Sequence, residues 1–407
     1  MTTDSADPVS VLAPLGTAIR RLTEGGAGHD QLLYFTSSSL LADDRQLVVI
    51  SERDGHPNLF LRDLAHGTER QLTHNTDGVL KSYVYFNGQA YRGFGKASVS
   101  LHAASGTVYY IQGREIRYVD ADGRARTLAE YPAGQMTAFT HVSSDGTRLC
   151  VPTVDARALD DLRPLGMPRP DYDIDERVRR EHLSSWLRVY DTRTGAEVCC
   201  ERVPEAWITH VQFSPRDRDL ILYNHEWPSD CGIRRVWLWD GRSHRRLRDE
   251  GPGRGRADWT CHEMWERDGA AILYHGNYPD GRNYVGRVRA DGSERVEIPL
   301  PAPWRRYGHF TEGPPGLLVT DGCFETEGDD AVAIRGHTPG GAWISVLHVD
   351  WVRGLIRWQP LCRHGSSWKS QDEHPHPIFN HAGNAILFVS DRDGARGVYA
   401  VPVPTRL

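Results

Sequence analysis

The residues best suited to chemistry form a short His-Pro repeat near the C-terminal end of the chain. His374 and His376 lie two positions apart, and a proline follows each of them. Proline favours extended backbone in the residue before it, so both imidazoles are expected on one face. Gln371 lies three residues upstream and can add an amide oxygen. Imidazole and amide ligands suit a divalent ion, so the stretch predicts a metal site, with a plain surface repeat as the alternative.

Three more histidines lie at or just before predicted apolar strands: His210, His262 and His309. In a ring of repeated sheets, the first strand of each sheet lines the central channel, and ligands bind where such elements converge. Together with the His-Pro pair, these residues would place five imidazoles around one channel mouth. Each histidine taken alone is more often structural. Histidines at equivalent positions in four consecutive repeats, however, favour a shared site that holds one ion.

Weaker candidates surround this group. His225 follows a strand at its far end and is expected to line the pocket, whereas His275 and His381 are expected at turns or on the surface. Arg235 precedes an alternating strand and could reach the channel, and Arg363 opens the segment that leads into the His-Pro repeat. The chain contains no G-x-S-x-G, P-loop or dinucleotide motif, which argues against those enzyme classes.

The elements that must position these residues repeat along the chain. The unit is an aromatic strand, a turn with Asp and Gly, an apolar strand, a second Gly turn, an alternating strand and a polar closing strand. The clearest copies are residues 32–73 and 377–401, and seven copies are counted in all. A period of roughly 40–60 residues with hairpin turns is typical of propeller blades. The sequence therefore predicts an all-β, seven-bladed β-propeller that forms a single domain over 1–407.

Two features refine this prediction. The last unit ends after its third strand, and Ala18–Thr23 resembles the fourth strand at Glu69–Thr73, so the N-terminal segment is predicted to close the ring. Residues 1–16 are expected to be a flexible N-terminus. The third blade carries an insertion at 155–185, whose second half is predicted to be a charged helix that covers one mouth of the ring, with a surface loop as the alternative.

Composition limits the classes of function. The net charge is −6 at pH 7, and the sequence contains no block of like charge, which argues against nucleic-acid binding. Seven cysteines, an odd number without a C-x-x-C motif, indicate a reducing compartment. Neither a signal peptide nor a membrane span is evident, so a cytoplasmic protein is expected, and its oligomeric state is left open.

Several of these segments together resemble the oligogalacturonate lyases, the seven-bladed propellers of polysaccharide lyase family 22. The resemblance covers about residues 32–403 and is carried by His210-Val-Gln-Phe-Ser-Pro215, Asn224-His-Glu226, Arg235-Val-Trp237, His262-Glu-Met-Trp265, Gly308-His-Phe310, Arg363-His-Gly-Ser-Ser-Trp368 and Gln371-x-x-His374-Pro-His376-Pro377. It implies a lyase that cleaves short oligogalacturonates by β-elimination and leaves 4,5-unsaturated uronate products.

The resemblance also implies roles for single residues. The divalent ion, typically manganese in the family, would be held by His309, Gln371, His374 and His376. The proton-abstracting histidine corresponds to His262, with His225 as the alternative, and the accessory arginine to Arg235. His210, His225 and Arg363 are the expected substrate-binding residues.

Departures from the family pattern leave other readings open. Cys261 stands where the family usually has glycine, and Glu373 adds a negative charge beside the metal pair. Substrate preference is therefore open to another uronate. A non-catalytic, TolB-like propeller that binds a protein or a sugar is the alternative from a different class.

Overall fold

The protein is described by a computed structural model over residues 8–24, 29–80, 93–159, 174–226, 235–248, 259–300, 304–306, 308–324, 343–369 and 371–405. Within these ranges the chain forms eight sheets: seven sheets of four or five strands that follow one another along the chain as blades, and one two-stranded sheet. The seven larger sheets confirm the predicted seven-bladed β-propeller. The α-helix among the described residues is Ile174–Arg180, and it is joined by three short 3-10 helices: Lys96–Ser98, Ala156–Leu159 and Gln371–Glu373.

The first four blades follow the predicted order from inner to outer strand. Blade one consists of Asp30–Gln31, Gln46–Ser51, Asn58–Asp63 and Glu69–Gln71. Blade two consists of Ser100–His102, Thr107–Gln112, Glu115–Val119 and Ala125–Glu130. Blade three consists of Gln135–Met136, His141–Val142, Arg148–Asp155, Ser184–Asp191 and Glu197–Pro204. Blade four consists of Val211–Phe213, Ile221–Tyr223, Trp237–Trp239 and His244–Arg246.

The last three blades complete the ring. Blade five consists of Trp259–Trp265, Ala271–Asn277, Asn283–Arg289 and Val296–Pro299. Blade six consists of Phe310–Glu312, Leu317–Thr320, Trp343–Asp350 and Leu355–Arg363, beside a small sheet of Trp304–Arg306 and Cys323–Phe324. Blade seven consists of Ile378–Phe379, Ala385–Ser390, Gly397–Pro402 and, from the other end of the chain, Arg20–Arg21.

The N-terminal segment closes the ring, as the sequence predicted. Arg20 and Arg21 pair antiparallel with Ala400 and Tyr399, and the Leu22 amide donates to the Val398 carbonyl at 2.7 Å. The segment 1–16, expected to be flexible, contains a strand at Val9–Val11 that adds in parallel to the outer edge of blade six. The two strands of this N-terminal segment thereby pair with two neighbouring blades, six and seven. Residues 1–7 of the segment expected to be flexible lie outside the described residues.

Apolar faces between blades form the core. Alternating residues of the strands interlock across each blade interface, for example Val319 and Val346 of blade six with Phe388 and Val401 of blade seven. At about 25 cal/mol per Å² of apolar area, such buried faces supply the main stabilisation of the ring. The interface fixes the relative position of the inner strands, and therefore of the residues that they carry into the channel.

The insertion in blade three lies between the strands Arg148–Asp155 and Ser184–Asp191. The predicted helix is present at Ile174–Arg180, and Val178 packs with Val154 and Leu183. Residues 160–173 lie outside the described residues, so the expectation that the insertion covers a mouth of the ring stays a prediction. Within the described part of the chain, the helices are too short or too polar to span a membrane.

A candidate metal centre at the middle of the ring

Three histidines from two blades converge at the middle of the ring. His309 precedes the inner strand of blade six, and His374 and His376 precede that of blade seven. One ring nitrogen from each of the three lies within 4.8 Å of the others, close enough to share one ion. The ring centroids of His309 and His376 are 4.0 Å apart, and those of His309 and His374 are 5.5 Å apart. The predicted convergence of imidazoles is therefore present.

Asp321 orients two of these histidines, and the sequence analysis did not identify it. This buried carboxylate follows the second strand of blade six and accepts the backbone N–H of His309 at 2.6 Å and its Nδ1–H at 2.9 Å. It also accepts the backbone N–H of His376 at 3.1 Å. Burial acts to raise the pKa of Asp321, but His309 and these hydrogen bonds outweigh it and hold the carboxylate ionised. With Nδ1–H on Asp321, His309 presents Nε2 as a lone pair.

The backbone of His376 differs from the prediction. Its φ of 45° is in the left-handed region, whereas the following proline was expected to impose extended geometry. The bond to Asp321 and complete burial of the side chain hold this conformation. As a result the ring lies parallel to Phe35, with an interplanar angle of 9° and centroids 5.5 Å apart.

Lys96, also missed by the sequence analysis, completes the support of His376. Its amine is fully buried, and Nζ lies 3.0 Å from Nδ1 of His376. Burial lowers the pKa of Lys96 to about 7, although Asp372 opposes this shift. A neutral amine can accept a hydrogen bond from Nδ1–H of His376, and in that tautomer Nε2 carries the lone pair. Burial also holds the pKa of His376 well below its usual value, so the ring is neutral.

These residues fit a divalent ion. Nε2 of His376 is buried and has no hydrogen-bond partner among the described residues, as a metal ligand requires. A neutral imidazole that donates its other N–H to a carboxylate is typical of metal sites, because the carboxylate fixes the tautomer of the imidazole. Gln371 begins the 3-10 turn that leads into His374, but its side chain lies outside the described residues, so its role as a ligand stays a prediction.

Trp368 forms one wall of this site. Its ring centroid is 4.1 Å from that of His374, and its Nε1–H donates to Nε2 of His364 at 3.1 Å. The segment from His364 to Trp368 therefore borders the metal centre, in agreement with the sequence analysis. Arg363, however, is exposed and lies over Trp343, with its guanidinium carbon 5.2 Å from the ring centroid.

His262 lies directly beside the three histidines. Its ring centroid is 4.4 Å from that of His309, and its φ of 50° coincides with a break in strand register after Cys261. Nδ1 lies 3.2 Å from the Gly308 carbonyl oxygen and 2.8 Å from Nε2 of His275. A carbonyl only accepts, so the proton of a neutral His262 resides on Nδ1. Nε2 therefore carries the lone pair that a general base needs.

His275 was expected at a turn or on the surface, and this prediction was wrong. It lies within the second strand of blade five, is 1% exposed, and its Nε2 is the acceptor that faces His262. Burial lowers the pKa of His275 to about 3, so it is neutral. Burial holds the pKa of His262 well below its usual value of 6.5.

Arg235 is buried between two carboxylates. Nε and Nη2 donate to the two carboxylate oxygens of Glu263 at 3.0 and 3.1 Å, and Nη1 donates to Glu226 at 3.2 Å. The Arg235 guanidinium and the hydroxyl of Thr209 hold Glu226 ionised against burial, so its pKa falls to about 2. The same carboxylate lies 3.3 Å from Nδ1 of His210.

The other histidines predicted to bind substrate occupy different surroundings. Nε2 of His210 lies 3.2 Å from the hydroxyl of Tyr34, whose ring in turn contacts His376 at a centroid distance of 5.1 Å. His210 therefore borders the centre without joining the three-histidine group. The His225 ring packs against Trp237 and Tyr223 of its own blade, at centroid distances of 5.2 and 5.9 Å, and burial lowers its pKa to about 4.

Comparison with known proteins places this site in context. The family model described as oligogalacturonate lyase matches residues 180–407. The oligogalacturonate lyase of Dickeya dadantii is 25% identical over 389 residues, which cover 91% of this chain and 89% of that protein. The oligogalacturonide lyase of Pectobacterium atrosepticum is 25% identical over 386 residues, with the same coverage of both proteins.

Two solved structures share the fold. An oligogalacturonate lyase in complex with manganese superposes with a TM-score of 0.73 at 22% identity and covers 96% of this chain and 94% of its own. The oligogalacturonate lyase from Vibrio parahaemolyticus also gives a TM-score of 0.73, at 21% identity and with the same coverage. These likenesses extend over all seven blades.

Proposed function

This chain belongs to the oligogalacturonate lyase family, and on that premise we propose that it cleaves short oligogalacturonates by metal-dependent β-elimination. The observation that carries the proposal is the group formed by His309, His374 and His376 with a correctly protonated His262 beside it. A divalent ion, proposed to be manganese, would be held by these three histidines together with Gln371. When bound, it supplies Lewis-acid stabilisation of the negative charge that develops on the uronate carboxylate.

The proton transfer is assigned to His262. Its Nε2 takes the proton from C5 of the uronate, and the electron pair of that C–H bond becomes the C4–C5 double bond. The C4–O4 bond breaks, and the leaving oxygen takes a proton from solvent. A neutral imidazole is a suitable base near neutral pH, and general-base catalysis of this kind contributes about 100-fold to 10,000-fold in rate. His275 and Gly308 hold the ring in the required tautomer.

Arg235 remains the proposed accessory residue, with a narrower role. Because Glu226 and Glu263 hold and neutralise its guanidinium, Arg235 acts by fixing the position of Glu226, whose carboxylate lies 3.3 Å from Nδ1 of His210. His210 is proposed to face the neighbouring sugar, since it borders the centre. His225 and Arg363 could also bind substrate, but only a substrate that extends beyond the three-histidine group would reach them. His225 packs against Trp237, and Arg363 lies over Trp343.

The partners that we propose are small acidic oligosaccharides, with neither nucleic acid nor membrane among them. A net charge of −6 without a basic surface block supports this choice. The proposed compartment remains the cytoplasm, supported by the free thiols among the described cysteines.

The test is ultraviolet absorbance of the conjugated product when digalacturonate or trigalacturonate is added to the manganese-loaded protein. We expect a steady rise for the wild type and for His66→Ala, an exposed histidine that serves as the matched control. His262→Ala should lose at least about 100-fold in rate and keep its metal, whereas His374→Ala should lose both. A wild type without an absorbance gain on either substrate would favour the non-catalytic, TolB-like interpretation.

A further inference from the structure

A second group of metal-binding side chains lies next to the first, on blade five. Sγ of Cys261 and one ring nitrogen each of His262 and His275 lie within 4.8 Å of one another. Cys261 pairs with His275 across the first two strands, so their side chains lie on the same face. The register break after Cys261, with φ of 50° at His262, turns the next side chain toward that face as well. Two consecutive residues thereby converge on His275.

The donor set selects a different ion from that of the first site. One thiol sulfur and two imidazole nitrogens suit zinc and similarly thiophilic ions, because a soft thiolate favours such ions over manganese. Three protein ligands with one open position are the usual arrangement around a non-structural zinc ion. The group His309, His374 and His376 contains no sulfur, so only the blade-five group can bind through a thiolate.

The charges around Cys261 tolerate a cation. The guanidinium of Arg235 lies nearby, but the carboxylates of Glu226 and Glu263 also act on the thiol, which leaves a net negative charge in the immediate surroundings. Burial raises the pKa of the Cys261 thiol to about 12, so the thiol is protonated without a metal. Metal coordination displaces that proton, because a coordinating thiol is deprotonated outright.

We propose that Cys261, His262 and His275 form a second, inhibitory site for zinc or a similar thiophilic ion. The thiol proton goes to solvent, and the ion bonds to Sγ of Cys261, Nδ1 of His262 and Nε2 of His275. The proton that Nδ1 of His262 carried moves to Nε2, which then has no lone pair to accept the substrate proton. The inhibitory consequence rests on the proposed function of His262, whereas the binding itself does not.

The experiment uses cobalt as a spectroscopic probe for zinc. Cobalt is added to the manganese-loaded protein, and the thiolate-to-cobalt charge-transfer absorption is recorded in the near ultraviolet. We expect this band in the wild type and in Cys200→Ser, an exposed free cysteine used as the matched control, and not in Cys261→Ser. The absence of the band in the wild type, or its presence in Cys261→Ser, would overturn the site.

Zinc inhibition supplies the second readout, with each variant normalised to its own uninhibited rate on trigalacturonate. Zinc should inhibit the wild type at a concentration at least about ten-fold lower than it inhibits Cys261→Ser, as expected for the loss of a group that holds the metal. Equal inhibition of the two proteins would overturn the inhibitory role. The cobalt spectrum reports binding alone and requires no turnover. A wild type without lyase activity would therefore contradict the proposed function, but the cobalt experiment would still test the second metal site.

Discussion

Replacement of Asp321 by asparagine tests whether the carboxylate behind His309 prepares the metal centre. Asp321 accepts three hydrogen bonds, two from His309 and one from the backbone of His376. Asparagine has nearly the same shape but only one accepting oxygen. If that oxygen keeps the shorter backbone bond, from the N–H of His309 at 2.6 Å, the amide NH2 takes the place of the oxygen that faces Nδ1 of His309, where it can only donate. The proton of His309 must then move to Nε2, the nitrogen that faces the ion.

The expected loss follows from this tautomer change. Removal of a group that orients a metal ligand typically costs about 10-fold to 100-fold in metal affinity, which corresponds to about 1.4–2.8 kcal/mol. Because Asp321 supports two of the ligands, we expect the upper half of that range. High manganese concentrations should restore part of the activity, since His262 and the substrate pocket are unchanged.

The assay is a titration with manganese in which the electron paramagnetic resonance of the free ion reports the unbound fraction. Asp240→Asn is the matched control, because Asp240 lies in an exposed turn and bonds only near neighbours in the chain. Thermal unfolding of both variants shows whether the fold survives. An Asp321→Asn variant that folds and binds manganese within about two-fold of the wild type would refute the reasoning from tautomers.

Two further predictions concern the base. His275→Phe keeps an aromatic ring against Phe310, where the ring centroids are now 5.1 Å apart, but removes the acceptor for His262. We therefore expect kcat to fall by about ten-fold or more with KM and manganese affinity retained, and His275→Gln to recover part of the loss. A rise in KM together with the fall in kcat would point to a general structural role instead. Because burial holds the pKa of His262 below its usual value of 6.5, the base stays neutral as the pH falls through that value. At saturating manganese, kcat/KM should therefore decline only below pH 6.5, and a decline centred at or above 6.5 would contradict this assignment.

The fold could be predicted from the sequence because its signals are local and repeated. Each blade carries its own turns and alternating strands, and the incomplete last unit indicated that Arg20–Arg21 would close the ring. Val9–Val11 carried no such signal, because a three-residue parallel strand depends on the edge of blade six that receives it. The repeat could predict the blades but not an additional strand at one edge.

The site residues could be predicted only where a residue type suited to metal binding stands at a sequence position that faces the channel. The His-Pro repeat and the histidines before inner strands indicated the ligands, since each blade presents its inner strand to the channel. Asp321 is 12 residues from His309 and 55 from His376, so its bonds to both depend on how blades six and seven pack. His275 was misplaced for the same reason, because its importance appears only when the strands are in register and Cys261 lies opposite.

Two of the most important side chains lie on strained backbone, which the alternation of a strand cannot predict. Among the few non-glycine residues with positive φ are His262, at 50°, and His376, at 45°. Such conformations cost on the order of 1–3 kcal/mol each and persist only where the surroundings hold them. His376 is held by Asp321 and Lys96, and His262 by Gly308 and His275. The left-handed backbone sets the direction of each ring, and the groups that hold it also decide which nitrogen carries the proton. The same contacts therefore set both the direction and the protonation of the two imidazoles, so loss of any one of them should alter chemistry before it alters the fold.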